Sequence, residues 1–334
     1  MAGTRERLGV AGVRALITGA SGFAGAWLCR ECAAAGDEVV ALSRRGTIPD
    51  GCGRGVAVDL RDGAATHGAV GRAAPDVVYH LAALTSVGRS WQEPARTLAD
   101  NVGASVQLLE AVRQLGADAP RIVWVGSCEV YGQAPALPTS EDAPIRPTNP
   151  YAVSKACGEM LAEVYRDAYG LDLIKVRPFS HSGPGQPPIY LLSNLSRQAA
   201  AGRRAGARTL RIVTGNPSTR RDFTDVRDVA RAYRLLATAP PAGEPGAPAG
   251  VYNVSSGVSV SAAEQVALLT ELLAPIEVEH VVDPALVRAT EVMDLRGDHA
   301  RLTALTGWEP QIPLRQTMSD TLAWWEQQLA GSDR

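Results

Sequence analysis

"TGASGFAG", residues 18–25, follows the apolar run "VRALITG" at 13–19 and leads into a segment of helical periodicity. Gly19, Gly22 and Gly25 are spaced GxxGxxG between that predicted strand and a helix predicted over Gly22 to Ala35. Glycines let the backbone turn tightly and approach a diphosphate, while the first NH groups of a helix and its dipole favour negative charge. A glycine turn that only packs a helix on a strand has the same spacing, so the setting decides the reading. Here "DEVVALS" at 37–43 supplies the second strand of a β-α-β unit. That setting points to a dinucleotide site.

Outward from this unit the alternation continues. "DVVYHLA" (76–82), "RIVWVGS" (121–127) and "LDLIKVRPF" (171–179) read as buried strands, with helices predicted over Ala95 to Gly116 and Tyr151 to Tyr169. Strands alternating with helices specify an α/β fold, a Rossmann-like doubly wound parallel sheet. After "HSGPGQPP" the pattern loosens into short segments such as "LRIVTG" (210–215) and "GVYNVSSG" (250–257), with helices around 190–203 and 261–273. This predicts a dinucleotide-binding domain over 1–180 that also takes part of 224–257. A smaller, interleaved substrate-binding domain is expected over 181–223 and 258–334. "APPAGEPGAPAG" (239–250) is low-complexity and reads as a surface loop.

Composition narrows the ligand. With 334 residues, 46% of them hydrophobic, the chain can bury a large core. A net charge of -2 gives no basic footprint for nucleic acid, and no run of about 18 or more uncharged apolar residues is present to span a bilayer. A small-molecule ligand and a cytoplasmic location are expected. The five cysteines read as reduced thiols, and Cys29 and Cys32 form a CxxC on a predicted helix with no second pair to complete a metal site.

The end of the second strand bears on the cofactor. A carboxylate there would bind a ribose 2′-hydroxyl, whereas "LSRRG" places Ser43, Arg44 and Arg45 where a 2′-phosphate is welcome. NADP(H) is therefore favoured, with NAD(H) as the alternative. "VDL" at 58–60 follows a third short strand and puts Asp59 and Leu60 beside an adenine.

"YAVSK" places Tyr151 and Lys155 four apart on one helix face. A tyrosine near pKa 10 is a poor base, but an ammonium and an oxidised nicotinamide both favour its phenolate, so Tyr151 suits proton exchange with a sugar hydroxyl. The chain uses 31 arginines and two lysines, Lys155 and Lys175. A lysine at this position is then a chemical choice, since a compact ammonium fits where a guanidinium does not. Ser127, at a strand end 24 residues earlier, supplies a third polar group beside Cys128 and Glu129. Ligands of parallel sheets bind at such carboxyl ends.

These residues resemble the extended short-chain dehydrogenase/reductases of the NAD-dependent epimerase/dehydratase family, which act on nucleotide sugars. "TGASGFAG", "HLAALTSV", "GSCEVYG", "PYAVSKACGE", "RPFSHSGPGQ" and "RRDFTDVRDVARAY" fall in the family's order over nearly the whole chain. The tail "VRATEVMDLRGDHARLTALTGWEPQIPLRQTMSDTLAWW" is similar to that of GDP-4-keto-6-deoxy-D-mannose reductases, with GDP-mannose 4,6-dehydratases beside them. The resemblance implies a Ser127, Tyr151, Lys155 triad and cofactor contacts from Gly19, Gly22, Phe23, Gly25, Asp59, Leu60, Leu81, Ala82 and Ala83. It implies nucleotide-sugar contacts from Ser86, Ser180, His181, Arg221, Arg288 and Glu291, and no metal. By the same resemblance, the long helices predicted over 95–116 and 151–169 imply a homodimer contact.

Two positions depart from the family pattern. Glu129 keeps a base of the kind dehydratases use at C5, and Cys128 either fills space or protonates a leaving hydroxyl, as in the similar Cys-Glu-Val-Tyr-Gly run of nucleoside-antibiotic 5,6-dehydratases. Ser180 stands where the family commonly has Asn, which weakens the expected diphosphate contact and admits a substrate with less phosphate, even a nucleoside. Three functions are thus in view. They are an NADPH-dependent 4-keto reductase, a redox-neutral dehydratase that uses the cofactor catalytically, and a non-catalytic NADP sensor, the last disfavoured by the intact triad.

Overall fold

The computed structural model of the protein describes residues 12–240, 250–287 and 291–331. Arg288 and most of the low-complexity stretch therefore lie outside the described residues. From the amino end the chain runs β1 (Arg14–Thr18), α1 (Phe23–Ala34), β2 (Glu38–Ser43), β3 (Arg54–Ala57), α2 (Gly63–Ala73), β4 (Val77–His80) and α3 (Val87–Gln92). It continues with α4 (Pro94–Arg113), β5 (Arg121–Val125), α5 (Pro150–Tyr169), β6 (Leu173–Pro178), β7 (Ser180–Ser182), α6 (Leu191–Arg204), β8 (Thr209–Thr214) and β9 (Arg220–Asp225). The remainder is α7 (Val226–Ala237), β10 (Val251–Val254), β11 (Ser259–Ser261), α8 (Ala262–Leu273), β12 (Glu277–Val282), β13 (Asp294–Leu295), α9 (Ala300–Thr306) and α10 (Leu314–Gly331).

A seven-stranded sheet in the order β3, β2, β1, β4, β5, β6, β10 is the frame, and every neighbouring pair in it is parallel. Its central strands are apolar on both faces because helices cover both: all five residues of β5, "RIVWV", are buried. One face buries Ile17, Val123 and Val176 against Leu28 of α1 and Tyr233 of α7. The other buries Leu16, Val78 and Trp124 against Val70 of α2 and Leu108 of α4. β10 lies beside β6, so residues 251–254 return to the large sheet after an excursion.

That excursion builds a second, smaller body. β9 pairs with β7, β11 and β13, while β8 pairs with β12. Leu192, Leu195, Leu269 and Met318 from α6, α8 and α10 form its core. "LDLIKVRPF" reads as one strand to residue 179, but the structure breaks it: β6 stops at Pro178, and Ser180–Ser182 passes to β9 instead. Proline lacks the N–H that would continue a ladder.

Candidate active site

The glycine turn stands at the carboxyl end of β1. Gly19 has φ +70°, and a Cβ there would sit 2.8 Å from the Ala82 nitrogen. A Cβ on Gly25 would come within 2.3 Å of the Gly19 carbonyl, so this glycine lets α1 pack on the turn. α1 starts with Gly22 as its N-cap, no side-chain cap and no acidic residue in its first turn. Its first N–H groups are left for an anion. They face a cavity of about 790 Å³ lined by Gly22, Phe23 and Ala24 and open along the carboxyl ends of the sheet strands. An uncapped helix end, a close-packed glycine turn and an elongated cavity fit a dinucleotide.

At one end of the cavity, Arg44 is a lining residue but its neighbour Arg45 is exposed and does not line it. Of the two arginines predicted to receive a 2′-phosphate, Arg44 is thus the one on the cavity wall. Asp59 and Leu60 both line the cavity. Hydrogen bonds from the Arg61 guanidinium and backbone, with that charge and Arg44's, bring the Asp59 carboxyl down to about 2. Arg61 also reaches Asp100 at 3.1 Å and lines the cavity, a second cation that the sequence reading missed. Leu81, Ala82 and Ala83, following β4, form the adjoining wall.

The carboxyl end of β5 carries the reactive cluster. Residues Cys128–Tyr131 form a single 3₁₀ turn, and the Ser127 hydroxyl caps it by accepting from the Glu129 N–H at 3.2 Å. Asn149 then caps α5, accepting from the Ala152 N–H at 2.8 Å, and its amide donates to Glu129 Oε2 at 2.9 Å. One asparagine therefore fixes both the start of the helix that carries Tyr151 and the carboxylate beside it. Ser127, Cys128, Glu129 and Tyr151 all line the cavity.

Ser127 and Tyr151 stand together on the cavity wall. Burial pushes the Tyr151 pKa well up; the Ser127 hydroxyl opposes this and the Glu129 charge adds to it. Burial is the largest influence on the phenol and favours its neutral form, so the acidification the sequence suggests would have to come from Lys155 together with a bound oxidised nicotinamide. Lys155 is not a lining residue. Its ammonium donates to the Val125 carbonyl at 2.6 Å, and burial brings its pKa down to about 8 while Glu159 pulls it up. The Cys128 thiol is buried, and burial followed by the Glu129 charge holds it well above its ordinary pKa. It is a neutral S–H and not a thiolate.

Toward the smaller body, Ser86, Ser180, His181, Arg221 and Glu291 line the cavity. The tandem arginines of β9 face opposite ways, as strand residues must. Arg221 points to the cavity, while Arg220 is engaged by Glu264 at 3.0 Å and the Ser259 carbonyl at 2.7 Å. Sequence reading missed Thr85 and Tyr190, whose hydroxyls meet at 2.9 Å across the cleft, and Asn216, whose amide donates to Glu291 at 3.0 Å. These partners lie 105 and 75 residues apart, and no local pattern announces them. Among the described residues no cluster of His, Cys, Asp and Glu is arranged to hold a metal ion.

A parallel sheet with a glycine turn and a Ser-Tyr-Lys cluster at its carboxyl edge defines a nicotinamide-dependent enzyme fold. Residues 15–255 match the NAD dependent epimerase/dehydratase family, and the chain belongs to it. It is 40% identical to the GDP-6-deoxy-D-mannose reductase of Pseudomonas aeruginosa over 255 residues, 75% of this chain and 81% of that protein. The structure of RMD from Pseudomonas aeruginosa complexed with NADPH superposes with a TM-score of 0.79 at 34% identity, covering 94% of this chain and 99% of that one. TunA, an NAD-dependent NDP-hexosamine 5,6-dehydratase involved in tunicamycin biosynthesis, gives 0.81 at 32% identity, covering 94% and 98%. The chain is an NAD(P)-dependent enzyme of the short-chain dehydrogenase/reductase type.

Proposed function

We propose that the protein reduces the 4-keto group of a nucleotide-linked 4-keto-6-deoxy sugar with NADPH. The observation that carries this reading is Tyr151: a phenol on the wall of the same cavity that Ser127 and the glycine turn line. The likeness to GDP-6-deoxy-D-mannose reductase over three quarters of the chain supports it. In this reading residues 1–180 with part of 224–257 hold the dinucleotide, and 181–223 with 258–334 hold the sugar nucleotide. Gly19, Gly22 and the α1 N–H groups receive the diphosphate, while Arg44 and Arg61 favour a 2′-phosphate and hence NADP(H) over NAD(H). When bound, the cofactor supplies the hydride. Ser127 orients the ketone oxygen, Tyr151 delivers the proton that oxygen takes on, and the Lys155 ammonium favours the phenolate that is left until solvent returns a proton to it.

A second reading is favoured by Cys128 and Glu129. A neutral buried thiol and a tethered carboxylate flank Tyr151, and ketone reduction uses neither. In a dehydratase, the hexose would give its C4 hydride to a bound oxidised nicotinamide, Glu129 removes the C5 proton, the C6–O bond breaks, Cys128 protonates the departing hydroxyl as water, and the hydride would return to the sugar. NADPH consumption separates the two. A reductase consumes one NADPH per product, whereas a dehydratase turns over with catalytic cofactor and no net change at the nicotinamide absorbance. Glu129→Gln is expected to spare a reductase and abolish a dehydratase; equal activity in both assays would remove the second reading.

Two copies of the chain are proposed to associate through α4 and α5. α5 presents Val153, Met160 and Val164 outward at 37%, 61% and 60% exposure, a stripe without a partner among the described residues.

A further inference from the structure

His181 has a ring whose two nitrogens are not equivalent. Nδ1 lies 3.1 Å from the Phe179 carbonyl. A carbonyl only accepts, so in the neutral ring Nδ1 carries the hydrogen and Nε2 is left as a bare acceptor. Burial lowers the pKa of the ring, which keeps it neutral. No hydrogen bond to Nε2 is made among the described residues, and the residue lines the cavity. The imidazole is parallel to the Phe23 ring, with centroids 6.0 Å apart and planes within 7°. Phe23 is the first residue of α1, directly after the glycine turn, while Ser127 and Tyr151 line the same cavity. His181 thus shares one cavity with the glycine turn, Ser127 and Tyr151, along which a dinucleotide would lie.

We infer that His181 is a positioning residue for the cofactor, a fixed acceptor that takes the carboxamide N–H of the nicotinamide and sets which face of the ring turns toward Tyr151. The inference rests on cofactor binding and holds for either the reductase or the dehydratase reading. Three features of the site fit. The carboxamide is a donor that a lone acceptor can read, and rotating it out of register leaves Nε2 buried against a carbonyl. A neutral imidazole tolerates both the pyridinium and the dihydropyridine, where an imidazolium would repel the former. The Phe23 ring and the Phe179 carbonyl hold the imidazole from two directions, so its lone pair has one aim.

Direct binding tests this without turnover. The purified protein is titrated calorimetrically with NADP+ and NAD+, each against its 3-acetylpyridine analogue, in which a methyl ketone replaces the carboxamide and no N–H remains. The parent is expected to bind the natural form of its preferred cofactor at least about 5-fold tighter than the analogue, the low end for an acceptor left unpaired. His181→Phe should bring that ratio to near one, and His181→Gln, which keeps an acceptor, should restore part of it. A parent ratio within twofold overturns the inference with no variant needed, and so does an unchanged ratio in a folded His181→Phe. Loss of discrimination confined to sugar-nucleotide binding would also overturn it. Failure of the parent to bind any of the four dinucleotides would instead remove the cofactor reading itself.

Discussion

Lys155 holds its charge against burial. Its ammonium falls from an ordinary 10.5 to about 8, and Glu159, one turn further along α5, opposes the fall. Below pH 8 the folded and unfolded chains both keep the proton, and the folded one bears the desolvation penalty. Between about 8 and 10.5 the unfolded chain keeps it and the folded chain releases it, so this group makes stability rise with pH across that window. Lys155→Met removes the rise. Urea unfolding of parent and variant from pH 7 to 10 should show their difference move toward the parent by on the order of 2 kcal/mol; a difference flat with pH would reject a desolvated ammonium. On the proposed function, Tyr151→Phe removes the proton donor and should lower turnover by about 10²- to 10⁴-fold with cofactor affinity retained, read by steady-state kinetics beside a direct titration. The triad was legible because a scarce residue type marked it: in a chain of 31 arginines, a lysine at Tyr+4 stands out. Arg61, Thr85 and Tyr190 carried no such mark. Their placement comes from tertiary approach, and Arg45 shows the converse, a residue that matched a pattern and does not line the cavity.

α5 is pinned to the sheet by a buried ion pair. Arg177 of β6 donates to Glu159 Oε2 at 2.8 Å through Nη2 and at 3.0 Å through Nε, and lies 4.8 Å over the Tyr131 ring. Both side chains are nearly inaccessible to solvent. Breaking such a pair from one side strands a buried charge, which costs about 3–5 kcal/mol. Arg177→Met should therefore destabilise by that amount, while Arg177→Met with Glu159→Gln should recover much of it. Denaturant midpoints check both, and a single variant within about 1 kcal/mol of the parent would show the pair to be dispensable. The helix itself was legible, predicted over Tyr151 to Tyr169 where the structure has Pro150–Tyr169. The anchor was not, because a buried Glu and Arg in sequence look like any solvated pair. The same limit applies to the break after Pro178: hydrophobicity runs through it, and only pairing with β9 reveals the change of sheet.

At the scale of the whole molecule, the large sheet and the small body meet along the cavity, and Thr85 and Tyr190 touch from its two sides. The alternation of strands and helices made the first half readable, whereas the short strands of the second half pair across long gaps in the chain, as β8 does with β12. What covers the outside of α5 is the remaining question of architecture. Met160 and Val164 are exposed one turn apart, and Val153 extends the stripe toward the amino end of the same helix. Water gains by losing contact with such a stripe at about 25 cal/mol per Å². A second α5 brought against it by two-fold symmetry places identical apolar residues face to face, the isologous arrangement of most homodimers. The helix that carries Tyr151 would then be stiffened by its copy. Light scattering behind size exclusion should give a mass near twice 35.1 kDa for the parent. Met160→Glu with Val164→Glu places like charges across the axis and should shift the mass to one chain, with far-UV circular dichroism unchanged. A parent that elutes as a single chain at tens of micromolar would show that the stripe faces water.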